Sequence, residues 1–211
     1  MTQHKYHHSS QPCGALSSVN TVASQLRFGI YLTLHLQNTK HTNRSHTLMA
    51  DQRLKDRIAL IVGGSSGLGA STALKFANAG ARVTIADLRS SGIEEQIKQQ
   101  HGQAAATFIH CDVTQESSVV KMIEEVAQWG GRLDIVCNFA GIFIDHSAGV
   151  PGRCHTLETE VFDRTMEVNC RGMWLCCKYA IGHMMEQEPR APNARGERTR
   201  GWIVNTASVA G

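Results

Sequence analysis

The chain has 211 residues, 42% of them apolar and 18% charged, a balance that excludes disordered and fibrous classes. This length suits one domain of ordinary size with a sizeable core. The formal net charge of +3 comes from residues 1–50, which hold four of the 21 basic residues and no acidic one. Residues 51–211 hold the other 17 basic residues and all 18 acidic ones, so this part of the chain is nearly neutral. Its charge therefore argues against a nucleic-acid partner.

Seven cysteines occur, an odd number without a C-x-x-C pair, which predicts free thiols in a reducing compartment. Because no spacing of ligands fits zinc, no metal site is expected. The apolar stretch 28–36 is interrupted and far shorter than the roughly 20 residues of a membrane span. We therefore expect no membrane partner and a cytoplasmic location.

Residues 1–48 are rich in Ser, Thr, Asn, Gln and His and show no sustained period, which predicts disorder. A basic, serine-rich, acid-free start is also typical of organelle transit peptides, which would make the location mitochondrial. A third interpretation is that Met49 is the true start. We expect residues 1–50 to be a disordered or wrongly assigned extension and residues 51–211 to form the domain.

From residue 56 onward, short β-rich apolar runs alternate with longer helical patterns. Strands are predicted at 58–62, 82–86, 105–110, 134–137 and 202–206. Helices are predicted at 67–79, 94–100, 117–129 and 158–186. Strand and helix in alternation imply parallel strands joined by right-handed helical crossovers. The predicted fold class is therefore α/β, a doubly wound parallel sheet with about five strands present.

A glycine-rich turn, V-G-G-S-S-G-L-G over residues 62–69, follows the first strand and opens the first helix. Glycines let backbone N–H groups approach a phosphate, which the helix N-terminus then faces. The string imitates a P-loop, but Ala70 stands where a P-loop needs lysine, which argues against nucleotide hydrolysis. A turn without any ligand is the remaining alternative.

The spacing of Gly63, Gly67 and Gly69 resembles the turn of the short-chain dehydrogenase/reductase family, with Val62 in place of its usual threonine. This resemblance covers roughly residues 54–211 and implies an incomplete Rossmann-like fold. The implied contacts to a dinucleotide from the turn are Gly63, Ser65, Ser66, Gly67, Leu68 and Gly69.

Asp87 ends the second strand, where a carboxylate accepts hydrogen bonds from the ribose of NAD and repels the 2′-phosphate of NADP. NAD is therefore the expected cofactor and NADP the less favoured one, with Arg89 as the nearby residue that favours NADP. A simple role for Asp87 at a strand end is the alternative.

The resemblance implies further cofactor contacts after the third and fourth strands, at Asp112, Val113, Asn138, Ala140 and Gly141. Asp112 corresponds to the acceptor for adenine. Phe139 replaces the second asparagine of the family's N-N-A-G, which removes the hydrogen bonds of that amide near the central sheet.

Asn169 lies in V-N-C-R-G, which resembles the family's V-N-x-x-G on its long helix, and implies a catalytic asparagine that holds a water in a proton relay. A structural buried asparagine is the other interpretation. Asn169 shares a stripe at helical spacing with six apolar residues, whose Met and Cys members are interpreted as core or interface: Phe162, Met166, Met173, Cys177, Ala180 and Met184. Ser208, after the fifth strand, corresponds to the family's catalytic serine, which binds the substrate oxygen.

In the family, a Tyr-x-x-x-Lys pair follows that serine by about a dozen residues, and this sequence stops at Gly211. We therefore expect truncation before the pair, and inactivity of the chain as given. The implied function is hydride transfer between a nicotinamide and a secondary alcohol or ketone, in a full-length homo-oligomer. The alternatives are a non-catalytic dinucleotide-binding homologue and a non-functional fragment.

Two long loops complete the sequence. The loop at 142–156 follows the fourth strand and is expected to line the substrate entrance, with Asp145, His146 and Arg153 among its polar residues. The arginine-rich loop at 189–201 joins the long helix to the fifth strand. It is therefore expected at the opposite edge of the sheet, as a solvated insertion.

Overall fold

The computed structural model of the chain describes residues 52–143, 154–192 and 195–207. The predicted N-terminal extension, residues 1–50, lies outside them. The strands are β1 (Ile58–Val62), β2 (Arg82–Asp87), β3 (Ala106–His110), β4 (Ile135–Asn138) and β5 (Trp202–Asn205). The helices are α1 (Gly67–Asn78), α2 (Ile93–His101), α3 (Glu116–Gly130), α4 (Thr159–Met166) and α5 (Met173–Glu186). Short 3₁₀ turns lie at Gln103–Ala105 and Cys154–Thr156.

The strands of the described part form one parallel sheet in the order β3-β2-β1-β4-β5. All five residues of β1 are buried, as expected of a central strand with both faces covered by helices. The sheet extends from β1 to one side through β2 and β3, and to the other through β4 and β5. The predicted doubly wound α/β class is confirmed.

Alternate residues of β1 face two separate cores, because side chains of a strand point to opposite faces. Ile58, Leu60 and Val62 pack with apolar residues of α3 and α5. Ala59 and Ile61 pack with residues of α1 and α2. The helices therefore cover the two faces of the sheet in pairs.

The predicted helix at 158–186 is interrupted by a π-helical segment, Glu167–Gly172, between α4 and α5. Within the predicted apolar stripe, Ala180 and Met184 are buried, whereas Phe162 and Met166 are 52% and 41% exposed. The buried residues are Val168, Gly172, Leu175, Cys176, Ala180 and Met184. The buried residues of α5 recur at ordinary α-helical spacing, and the wider π turn before them changes which face of the helix points inward.

The arginine-rich loop begins beside the start of β4, at the amino-terminal edge of the sheet, as predicted. However, Arg190 is only partly exposed. It donates two hydrogen bonds to the carboxylate of buried Asp134, from Nε to Oδ1 at 2.9 Å and from Nη2 to Oδ2 at 2.6 Å. Arg132 Nε donates to the same Oδ1 at 2.8 Å, and the Ile58 N–H donates to Oδ2 at 3.0 Å. The loop is therefore attached to the core at this point.

The cysteines Cys111, Cys137, Cys170, Cys176 and Cys177 are free thiols, as predicted for this part of the chain. Burial raises the pKa of the Cys111 thiol to about 11 and that of Cys176 to about 12, so both remain protonated at neutral pH. No helix of the described residues has the length and apolar character needed to cross a membrane.

Candidate functional site

The carboxyl ends of the strands meet at one edge of the sheet. In the register, Val62 lies beside Ala86 and Asn138, and Asn138 lies beside Asn205. The chain leaves β1 toward β2 on one side, while β4 flanks β1 on the other. The gap between the loops after β1 and β4 is therefore the switch point, where ligands of open α/β sheets bind.

The glycine turn is pressed against its neighbours so closely that side chains do not fit. A Cβ on Gly63, whose φ is +76°, would lie 2.5 Å from the backbone nitrogen of Ala140. A Cβ on Gly69 would lie 2.1 Å from the carbonyl oxygen of Gly63. The Gly63 N–H donates to the Ala86 carbonyl at 2.8 Å. The turn thus lies against the backbone after β4 and brings α1 close to β1.

The N-terminus of α1 is open where the turn is otherwise crowded. Gly67 has φ +51° and nothing within 4 Å of a Cβ placed on it. Ser66, the N-cap, makes no side-chain capping bond, and the first turn has no acidic residue. Leu68 is 56% exposed beside it. The first N–H groups of the helix therefore lie at an open space, and the first turn of α1 places no carboxylate there, which favours an anion.

A serine and an aspartate border this space. Asp87 Oδ2 accepts a hydrogen bond from the Ser65 N–H at 3.0 Å, and its Oδ1 accepts from the Leu88 N–H at 2.8 Å. A carboxylate has about four acceptor positions, so each oxygen can accept another donor. The Ser65 hydroxyl is buried without a hydrogen-bond partner in the described part of the chain. Asp87 is thus tied to the glycine turn and retains acceptor capacity.

Asp112 and Val113 lie in the loop after β3. Asp112 Oδ1 accepts from the Thr114 N–H at 3.0 Å and from the Thr114 hydroxyl at 2.8 Å. The Asp112 N–H donates to the Ser118 hydroxyl at 3.1 Å. Val113 is buried and packs against Gly172, where a Cβ would lie 2.8 Å from a Val113 methyl. Val113 therefore contributes packing, and Asp112 presents its second oxygen.

The segment after β4 brings the predicted residues to different environments. Asn138 is buried, and its Nδ2 donates to Asn205 Oδ1 at 2.8 Å, so its amide nitrogen joins β4 to β5. Phe139 packs with the core on the α1 side. Ala140 lies against Gly63, and a Cβ on exposed Gly141 would lie 3.3 Å from Oδ1 of Asn169. Of these, Ala140 and Gly141 border the switch point, while Asn138 faces the sheet interior.

Asn169 is in the π-helical segment and bonds one residue through both groups of its amide. Its Oδ1 accepts from the Ile142 N–H at 2.8 Å, and its Nδ2 donates to the Ile142 carbonyl at 2.9 Å. This is the structural role; the catalytic role stays a prediction. Ser208, the other predicted catalytic residue, lies outside the described residues, as do Asp145, His146 and Arg153 of the predicted substrate loop.

Replacing Asn169 by alanine is expected to lower the free energy of unfolding by about 1–3 kcal/mol, because both polar groups of partly buried Ile142 lose their partner. Urea denaturation measures the change. Asn78→Ala is the control, since Asn78 bonds only exposed His101 and its loss is expected within about 0.5 kcal/mol. Equal effects of the two substitutions would show that Asn169 does not hold the loop after β4.

Sequence reasoning missed two residues that hold the loop after β3. Arg171 Nη1 donates to the Thr114 carbonyl at 2.8 Å, and Thr114 holds Asp112. Arg171 and Gly172 both lie in the motif used to find Asn169, but the partner of the arginine is 57 positions away in the sequence. The only sequence signal was that an arginine and a glycine follow an asparagine in a helix.

A doubly wound sheet with a glycine turn at its switch point is typical of dinucleotide-binding α/β proteins. A family model described as short chain dehydrogenase matches residues 57–211. The chain belongs to the short-chain dehydrogenase family. This confirms the resemblance inferred from the motifs, and the family uses nicotinamide cofactors.

Several curated relatives are similar over the same region. The chain is 35% identical over 161 residues to the uncharacterized oxidoreductase YxbG of Bacillus subtilis, covering 75% of this chain and 52% of that protein. It is 37% identical over 161 residues to short-chain dehydrogenase reductase 5 of Arabidopsis thaliana, covering 76% and 56%. It is 37% identical over 161 residues to secoisolariciresinol dehydrogenase of Forsythia intermedia, covering 75% and 52%. The chain thus spans about half the length of these relatives.

Proposed function

We propose that this chain supplies the NAD-binding part of an oxidoreductase that acts on a secondary alcohol or ketone. The observation that carries the proposal is Asp87 at the end of β2, bonded to the Ser65 N–H of the glycine turn at 3.0 Å. It places a carboxylate with spare acceptor capacity beside the open N-terminus of α1. The oxidoreductase names of two of the relatives support the class of reaction.

The residues fit a dinucleotide along the switch point. The first N–H groups of α1 would bind the pyrophosphate over Gly67, where the space is open. Asp87 would accept from the ribose hydroxyls, and Asp112 from the exocyclic amine of adenine. The buried hydroxyl of Ser65, without a described partner, supplies a further donor at the turn.

When bound, the nicotinamide supplies or accepts the hydride of the reaction. This chain's residues bind and orient it: Gly63, Ala140 and Gly141 allow close approach of the backbone at the switch point. Asn169 holds the loop after β4 through Ile142. Ser208 is proposed to bind the substrate oxygen. Assembly of the full-length protein as a homo-oligomer belongs to the same proposal.

The preference for NAD is tested by titrating the full 211-residue chain with NADH and with NADPH, following nicotinamide fluorescence. The carboxylate of Asp87 would repel the 2′-phosphate, so we expect NADPH to bind at least about tenfold more weakly, equivalent to about 1.4 kcal/mol. In Asp87→Ser that preference is expected to shrink to less than about threefold, through weaker NADH binding and stronger NADPH binding.

Asp163→Ser is the matched control, because Asp163 is an exposed carboxylate on α4, away from the glycine turn. It should leave both affinities unchanged. Absence of saturable NADH binding by folded protein would contradict the cofactor site. Saturable binding by this chain, without oxidation of any secondary alcohol in a panel by the full-length protein, would favour the non-catalytic homologue.

A further inference from the structure

The π-helical segment Glu167–Gly172 contacts the loops after two different strands. Asn169 bonds Ile142 in the loop after β4. Two residues later, Arg171 Nη1 donates to the carbonyl of Thr114, in the loop after β3, at 2.8 Å. Gly172 lies against Val113 in that same loop. One helical segment therefore contacts both the loop after β4, which borders the switch point, and the loop after β3.

In the loop after β3, Thr114 links Arg171 to Asp112 by hydrogen bonds. Thr114 is buried, with 4% of its surface exposed. Its carbonyl accepts from Arg171, while its N–H and its hydroxyl both donate to Asp112 Oδ1, at 3.0 and 2.8 Å. Holding Thr114 in place therefore also holds the Asp112 carboxylate in one orientation.

The two carboxylate oxygens of Asp112 differ in their hydrogen bonds. Oδ1 accepts twice from Thr114, and Oδ2 has no partner in the part of the chain that the structure describes. An unshared carboxylate oxygen at the carboxyl end of β3 can accept from an exocyclic amine. Because the first oxygen is fully engaged, the direction of the second depends on the conformation of the loop.

We propose that Arg171 is a positioning residue for the adenine end of the cofactor, acting through Thr114 and Asp112 without touching the nucleotide. The inference rests on the proposed function. A bond from a guanidinium to a carbonyl is stronger than one between neutral groups. It orders the loop before binding, so that binding does not have to order it. Binding of the adenine end of the cofactor should therefore depend on Arg171, and binding of the nicotinamide end should not.

The test compares Arg171→Met with the unchanged full chain, using three ligands: NADH, ADP-ribose and reduced nicotinamide mononucleotide. We expect NADH and ADP-ribose to bind roughly 3- to 10-fold more weakly, as for a group that must be ordered on binding. Binding of the mononucleotide, which lacks adenosine, should be unchanged. Arg164→Met is the matched control, since Arg164 forms an exposed ion pair with Glu167 on the same long helix. It should change none of the three affinities.

A double-mutant cycle separates positioning from a general structural effect. In an Asp112→Ala background, Arg171→Met should weaken NADH binding no further, because the residue through which it acts is absent. The inference would be overturned if Arg171→Met weakened the binding of all three ligands equally, or if it weakened NADH binding in full in the Asp112→Ala background. NADH binding by the unchanged chain would still support the cofactor site in either case. If the unchanged chain binds none of the ligands, the proposed function is wrong and the inference is overturned with it.

Discussion

Gly69→Ala is expected to destabilise the chain by about 3 kcal/mol or more, enough to remove most of the soluble folded protein. A Cβ at this position would lie 2.1 Å from the Gly63 carbonyl oxygen and 3.0 Å from the Gly64 Cα. These are backbone atoms, so no side-chain rotation can make room. The methyl group would push α1 away from β1 and distort the turn that borders the switch point. Urea denaturation followed by circular dichroism measures the loss.

Two other glycines provide controls for this substitution. Gly67 has the left-handed φ of +51° but open space around it, so alanine there should cost only about 1–2 kcal/mol. Gly182 lies within α5 with nothing nearby, so alanine should be neutral or stabilise by up to about 1 kcal/mol. If Gly69→Ala were no worse than Gly67→Ala, the close approach of α1 to the turn would be wrong.

Asp134→Ala is expected to cost about 3–5 kcal/mol, because it removes a buried carboxylate and leaves its partly exposed cationic partners uncompensated. The carboxylate is 1% exposed and accepts from Arg190, Arg132 and the Ile58 N–H. The loss would loosen the loop after α5 and the start of β1 together. Glu167→Gln, which breaks an exposed ion pair with Arg164, should cost less than about 1 kcal/mol. Similar losses in both variants would show that Asp134 is not a structural centre.

The same carboxylate sets a dependence of stability on pH. Burial of Asp134 opposes ionisation, but the hydrogen bonds from Arg190, from the Ile58 N–H and from Arg132 outweigh it and hold the pKa below its usual range. Its contribution is therefore complete above the unfolded-state pKa of about 3.9 and is lost as pH falls through the lower folded-state pKa. Urea denaturation from about pH 7 to pH 3 should show the onset of this acid loss in the natural chain, and less of it in Asp134→Asn.

The strands were predictable because each is a short apolar run with turn residues on either side. The predicted and observed bounds of β1 are identical, and those of the other four strands differ by no more than one residue at either end. The glycine turn was placed correctly between β1 and α1, and Asp87 at the end of β2. Both lie at the same edge, because a parallel sheet fixes which strand ends lie together. The local sequence pattern was therefore sufficient to predict the fold and the positions of the glycine turn and Asp87.

The π-helical segment was not predictable, because no residue period distinguishes it from the α-helix around it. Across it, the apolar stripe changes from exposed Phe162 and Met166 to buried Ala180 and Met184. The partners of Asn169 and Arg190 depend on side chains distant in sequence, 27 and 56 positions away. Such contacts depend on the tertiary arrangement, which cannot be predicted from the periodicity of a single segment.

The central position of β1 also has a kinetic consequence. β1 is made first, and β2 and β3 follow it on one side, but the bond from the Ile58 N–H to Asp134 spans 76 residues. The bond between Asn138 and Asn205 then spans a further 67. Pairings of such long sequence separation form late, because the loop between them must close first. During synthesis, one edge of β1 therefore remains unpaired until β4 leaves the ribosome. Chaperone binding to this edge is expected in that interval.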